Sequence, residues 1–250
     1  MKLIDLLYRA VASRSVDIME LMFNVSSILK CIGRNIIDDT IYVSDLTRCV
    51  LRAVYVRRLI HVHGIEKARE IILRKILDYD NINSILMGFI VQYGLERFLD
   101  GSTVRRSQIT WRRVIDVDGI RLVISGKPDY EMIIDGRIIP VEVKFTRRSI
   151  EKPYSSYVTQ CSIYAWLCNA PYCKLLIFTP ERVIEREIGP ATVEYLRLIV
   201  REWLSRAPLW EWECRHCLFR DMCRREDRER IRNSRSIRKS IKILHEIENQ

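Results

Sequence analysis

One short stretch narrows what this chain can fold into more than any other. Gly126-Lys127-Pro128-Asp129 is followed, across Asp135-Gly136, by Val141-Glu142-Val143-Lys144. Asp-Gly between two runs rich in Ile and Val signals a two-residue hairpin. So tight a turn sets Ile134 opposite Arg137 and, by the same count, Asp129 opposite Glu142. Directly opposed residues have Cβ atoms about 4.5–5.5 Å apart. Two carboxylates that close repel unless a cation lies between them. Lys144 is two residues beyond Glu142 and shares its strand face, while Val141, Val143 and Phe145 take the other, towards a core. Two acids and a lysine on one sheet face suit metal-assisted phosphodiester hydrolysis. The acids hold a divalent ion, and ion and lysine activate water and offset phosphate charge. An ordinary surface strand pair has the same spelling, and Pro140 introduces a bulge or a sheet edge as an alternative.

The chain has 250 residues with 48% hydrophobic content, enough for one substantial core and a small appended subdomain. Lys and Arg outnumber Asp and Glu by 42 to 32, a formal charge of +10. That excess favours a polyanionic partner, nucleic acid first, although it also aids solubility. No apolar run of about 18 residues is present, so no membrane span is expected. The start, Met1-Lys2-Leu3-Ile4-Asp5, does not read as a signal peptide, and the expected location is the cytoplasm. Disulfides are disfavoured there outside hyperthermophiles, which leaves eight cysteines to explain. Only four Gln beside abundant Ile, Arg and Glu lean towards a thermophilic, archaeal-like source.

Helical spacing covers residues 1–30, a stretch starting at a Ser44 N-cap and ending at Gly64, 65–78 and 82–99. The period then changes, and 103–115, 120–126, 129–134 and 137–145 read as strands. Residues 153–169 return to helix, Lys174–Thr179 and Val183–Ile188 are strands, and 191–206 is helical. This order predicts an α+β or α/β core with a mixed sheet, wrapped by helical and metal-binding extensions. The expected division is a helical part over 1–100, a core over 101–206 and a cysteine segment with a basic tail over 207–250, forming one compact unit.

Cys214-x-x-Cys217-x5-Cys223 brings three thiolates into one polar loop. Such loops bind zinc or an iron–sulfur cluster, although free cysteines also simply pack in cores. His216 is a poor fourth ligand, since its neighbours compete with it for geometry. Cys49 is the better one and would tie the N-terminal helices to the C-terminal segment. Cys31, Cys161, Cys168 and Cys173 read as core or surface thiols. Four thiolates suit tetrahedral zinc and a cubane cluster equally. Gln160 and Tyr164, four apart on one helix face, either border the carboxylates or form a buried polar and aromatic contact.

Gly-x-x-Asp, Glu-x-Lys and Gln-x-x-x-Tyr, in this order, resemble the RecB-type nucleases of the PD-(D/E)XK superfamily. One upstream Cys with three Cys near the end resembles their iron–sulfur subset, and the length is most similar to the CRISPR-associated Cas-four exonucleases. The resemblance covers about residues 44–223. It implies a restriction-endonuclease-like core in which Asp129, Glu142 and the Val143 carbonyl bind Mg²⁺ or Mn²⁺. Lys144 would be the catalytic lysine, and Gln160 and Tyr164 an accessory motif. Cys49, Cys214, Cys217 and Cys223 would hold a [4Fe–4S] cluster, and the resemblance, not the spacing, favours iron–sulfur over zinc. The family's metal-binding His stands in Gly-x-x-x-His-x-x-x-Glu; the matching stretch Gly88-Phe-Ile-Val-Gln92-Tyr-Gly-Leu-Glu96 offers the Gln92 amide instead.

Arg105, Arg106, Arg112 and Arg113, and a tail from Arg224 to Lys242 with nine basic and three acidic residues, read as phosphate tracks or as solvated faces. Ile231, Ile241 and Leu244 of that tail would line one helical face. The expected function is a metal-dependent DNA exonuclease acting on single-stranded or frayed ends and trimming CRISPR spacer precursors with integration proteins. A non-catalytic DNA-binding scaffold and a repair or viral nuclease outside CRISPR are the alternatives.

Overall fold

The computed structural model describes residues 40–77, 87–88, 91 and 104–249. The expected helix over 1–30 lies outside them, as do Cys31 and Gln92; of the helix over 82–99 only 87, 88 and 91 are described, all helical. In chain order the elements are β1 (Thr40–Tyr42), α1 (Val43–Leu46), α2 (Val50–His63), α3 (Ile65–Leu77), β2 (Val104–Arg106), β3 (Trp111–Val117), β4 (Ile120–Gly126), β5 (Tyr130–Ile134) and β6 (Arg137–Phe145). There follow α4 (Ser155–Leu167), β7 (Cys173–Phe178), β8 (Val183–Ile188), α5 (Val193–Ser205), a 3-10 turn (Glu211–His216), α6 (Arg225–Arg232) and α7 (Ile237–Glu248).

Two mixed sheets result, with strand orders β2-β5-β6-β7-β8 and β1-β4-β3. β6 runs parallel to β7 and β1 to β4; the other pairs are antiparallel. A parallel pair needs a crossover, and α4 supplies it between β6 and β7. It packs on strands of both sheets, so Thr159 to Leu167 is buried on every side. That explains its apolar, non-amphipathic sequence.

The central hairpin keeps the register expected from Asp135-Gly136. Both turn residues have positive φ, 48° and 73°, as a type I′ turn requires. Pairing runs unbroken from Ile134↔Arg137 to Tyr130↔Val141. Counting outward from the turn, the Glu131↔Pro140 pair exchanges no ladder hydrogen bonds, so the proline nitrogen points away from β5. The β6–β7 ladder begins only at Val141↔Lys174, and the missing N–H therefore costs no pairing. Pro140 makes neither a bulge nor an edge.

Elsewhere the structure departs from the expected elements. The strand over 103–115 is two strands, β2 and β3, in different sheets. Between them the Ser107 N–H goes to the Asp129 carbonyl at 3.1 Å and its hydroxyl to Glu131 at 2.6 Å, which turns the chain out of the first ladder. The helix expected from Ser44 is broken at Thr47–Cys49, and α2 starts with Cys49 as its N-cap. Glu213 holds the Cys49 N–H at 2.8 Å, a partner remote in sequence. Gly64, with φ 75°, ends α2 as expected. Cys161 and Cys173 are not separate thiols: they form a disulfide between α4 and the start of β7, with Cα atoms 5.5 Å apart. The short link after α4 folds β7 back beside it, a proximity that spacing does not reveal. The tail forms the helix pair α6 and α7, which buries Ile231 and Leu244 as expected, with Ile237, Ile243 and Ile247, while Ile241 is half-buried. Among the described residues no helix is long and apolar enough to cross a membrane.

Gly126, the last residue of β4, is required by space. A Cβ there would lie 2.6 Å from Val43 Cγ2, 2.7 Å from Tyr164 Cε1 and 3.2 Å from Leu167 Cδ1. Gly126→Ala is expected to cost about 1–3 kcal/mol through overpacking and to lower Tm by several degrees. Thermal unfolding checks this, and an unchanged Tm would show the contact to be soft.

Candidate active site

Asp129 immediately precedes β5, and the hairpin register carries it opposite Glu142 on the central strand β6. The ladder stops where Pro128 would have to pair, and the Asp129 carboxylate takes the Val143 N–H instead, with Oδ2 at 2.9 Å. Val141 and Val143 point into a core with Tyr130 on one face of β6. Glu142, on the other face, is also buried, at 2% exposure. Its Oε1 accepts a hydrogen bond from Lys144 Nζ at 2.5 Å, while its Oε2 is buried with no hydrogen-bond partner among the described residues. A buried carboxylate oxygen without a partner is costly. Burial first, then the Asp129 charge, raises the Glu142 pKa to about 7 against the pull of Lys144. Burial also opposes the charge on Lys144, but Glu142 and Asp129 outweigh it and raise its pKa. Lys144 thus satisfies one Glu142 oxygen and leaves the other, Oε2, without a hydrogen bond among the described residues.

Of the other expected residues, Tyr164 reaches the loop before Asp129. Tyr164 donates from its hydroxyl to the Lys127 carbonyl at 3.1 Å, steadying the loop that carries Asp129. Gln160, one helical turn earlier, is buried at 9% exposure. Tyr157 places its ring 5.6 Å from Lys144 Nζ. Arg105 and Arg113 serve internal contacts: Arg105 reaches Glu131 at 3.5 Å, and Arg113 donates to the Trp166 carbonyl at 2.6 Å and covers its ring.

The cysteines converge on the start of α2. The 3-10 turn carrying Cys214 is clamped by Glu213, which accepts from the Leu209, Trp210 and Cys49 N–H groups at 2.8, 3.1 and 2.8 Å. Phe219 anchors the loop, buried at 1% exposure with its ring 6.2 Å from that of Tyr55. Lys75 of α3 grips Asp221 at 2.6 Å. Burial raises the thiol pKa values of Cys49, Cys217 and Cys223, and the neighbouring thiols push in the same direction. A donor also faces three of the sulfurs: the Leu51 N–H at Cys49, the Phe219 N–H at Cys217 and Arg228 Nη1 at Cys214, 3.8 Å away, while the Tyr55 hydroxyl near Cys223 donates to Asp227 at 3.0 Å. Hydrogen bonds to sulfur favour thiolate, the form that ligates metal. Among the described residues no three His, Cys, Asp or Glu side chains form a ready site for a single metal ion. His216 is exposed.

Sequence reading missed Glu213 and Glu131. Glu131 is fully buried and held by Ser107, Trp111 Nε1 at 3.4 Å and Arg105. Glu213 had one available signal, an acidic residue directly beside Cys214, but its partners are unpredictable without the fold.

A restriction-endonuclease-like nuclease is the class that this fold defines, and the comparisons agree. No protein-family model matches the chain. It is 30% identical over 190 residues to the CRISPR-associated exonuclease Cas4 of Saccharolobus solfataricus, covering 74% of this chain and 88% of the relative. It is also similar to the crystal structure of SSO0001, with a TM-score of 0.65 and 27% identity, covering 84% of this chain and 97% of that one. The chain belongs to the Cas4 family of CRISPR-associated nucleases.

The raised pKa of Glu142 gives a pH prediction. The folded protein holds this proton more tightly than the unfolded chain, so metal-free stability falls as pH rises from the ordinary glutamate value towards about 7. Metal-free protein is expected to melt at a higher temperature at pH 5.5 than at pH 8, and Glu142→Gln to flatten that slope. An unchanged slope in the variant would assign the effect to other groups.

Proposed function

We propose that the protein is a metal-dependent deoxyribonuclease that trims single-stranded or frayed DNA ends exonucleolytically, carries a [4Fe–4S] cluster and processes spacer precursors beside CRISPR integration proteins. The observation that carries this reading is Glu142 Oε2, buried opposite Asp129 with no hydrogen-bond partner among the described residues. It fits a cation-binding position. Mg²⁺ or Mn²⁺ held by Asp129, Glu142, the Val143 carbonyl and the Gln92 amide would supply positive charge at the scissile phosphate and lower the pKa of a bound water. The chain's own groups do the rest. The Val143 N–H fixes the rotation of the Asp129 carboxylate. Both carboxylates favour protonated Lys144, so its part is charge stabilisation: one proton goes to Glu142, and the others would be offered to phosphate oxygens. Tyr164 holds the loop before Asp129, and Gln160 lines the same helix.

The convergence of Cys49, Cys214, Cys217 and Cys223, with donors at three of the sulfurs, supports them as the residues that would hold the cluster. The Cas4 relative bears the name exonuclease, which supports the end-trimming activity.

Two measurements test this. In a Mn²⁺-dependent DNA digestion, Glu142→Ala and Lys144→Ala are each expected to slow cleavage by about 100-fold or more while leaving the cluster spectrum intact; wild-type rates in Glu142→Ala would sink the assignment. Anaerobically purified protein should be brown with about four irons per chain. Cys49→Ser should lose that iron as completely as Cys214→Ser, whereas colourless protein with one tightly bound zinc would refute the cluster.

A further inference from the structure

Trp210 and Trp212 flank Glu211 at the start of the cysteine loop. Their rings stack, with centroids 6.1 Å apart and planes 19° from parallel. One face of Trp212 is therefore covered by Trp210, and the residue is still 54% exposed, the most of any exposed aromatic among the described residues. The fold does not need that ring. Glu213 clamps the turn, and Leu209 and Phe219 anchor it in the core at 8% and 1% exposure. A large flat indole open to water beside a buried clamp points to a planar ligand.

The charge around it narrows the ligand's class. Arg215, Arg220 and Arg224 of the same loop are exposed. Of the loop's acids, Glu213 is buried and Asp221 is paired with Lys75, leaving Glu211. Glu213 also binds the N–H of Cys49, and the preceding Arg48 is exposed and interacts electrostatically with both Cys217 and Lys144. Exposed aromatics interleaved with arginines are how single-stranded nucleic acid is held without sequence preference, bases on the rings and phosphates on the cations. Duplex bases are already stacked and cannot use such a ring.

We propose that Trp212, backed by Trp210, is a base-stacking platform for single-stranded DNA beside the nuclease site, with the loop arginines on the phosphates. This rests on the nuclease reading and adds to it a residue that grips the bases.

The test measures Kd by fluorescence anisotropy for a labelled single-stranded oligonucleotide, its abasic counterpart and a blunt duplex, on the full chain without added divalent metal. Stacking of one base contributes about 1–3 kcal/mol, so Trp212→Ala should raise Kd for the single strand about 5- to 150-fold. Trp212→Phe should keep most of the affinity, and the abasic strand should bind wild type and Trp212→Ala alike. An unchanged Kd in Trp212→Ala, or an equal loss on the abasic strand, overturns the platform. So does a shift in sedimentation that places Trp212 between copies of the chain. Should Trp212→Ala lose its colour or fold, the wild-type preference for the intact over the abasic strand decides. Wild type that cuts DNA but shows no such preference fails this inference alone; wild type that neither binds nor cuts fails the nuclease reading with it.

Discussion

Two carboxylates brought face to face across a hairpin are the constraint around which the rest of this molecule is arranged. Their separation is imposed by backbone, by a two-residue turn and an unbroken ladder, and the acids cannot relax apart without breaking strand pairing. Burial of Glu142 between α4 and the sheet then removes the water that would screen the repulsion. The electrostatic cost of the site is thus fixed by the fold, and Lys144 offsets only part of it, through one oxygen. A strand pair serving only structure would have no reason to bury Glu142 Oε2 with no hydrogen bond from the described residues.

What was legible in the sequence follows from how local its cause is. Asp135-Gly136 demands positive φ at two adjacent residues, a local condition, and it carried the hairpin, the register and the pairing of Asp129 with Glu142. Gly64 and the strand Val183–Ile188 were legible for the same reason. Failures came where a distant partner decides. The break before α2 depends on Glu213 taking the Cys49 N–H, and the split of 103–115 depends on Asp129 and Glu131 taking Ser107. The Cys161–Cys173 disulfide depends on a helix folding back along a strand. Periodicity registers none of these. The basic tail was legible through its periodicity: Ile231 and Leu244 lie on the buried apolar stripe of its helices, as a solvated charged face requires.

Glu213 explains why a cysteine loop can be built from such a polar segment. Three backbone N–H groups, two from Leu209 and Trp210 at the start of the 3-10 turn and one from the N-cap of α2, converge on one carboxylate. One of them belongs to Cys49, so the same side chain that shapes the loop draws in the remote fourth cysteine. Arg48, beside it, is among the charges facing the Glu213 carboxylate. The loop's geometry and the position of Cys49 are therefore a single condition.

That condition reaches the nuclease site through the segment from Val43 to Cys49. At one end Val43 packs so closely on Gly126 that no side chain fits between them, and Gly126 opens the loop that carries Asp129. At the other end the Cys49 N–H is bound to Glu213 in the cysteine loop. The segment is short and bent, with α1 broken off before α2 begins, so it has little slack to absorb a shift at either end. Tyr164 meets the same point from the opposite side, its ring against Gly126 and its hydroxyl on the Lys127 carbonyl. The cysteine loop is thus mechanically continuous with the backbone that sets Asp129 opposite Glu142, and a shift at the loop is transmitted to that pair through Val43 and Gly126.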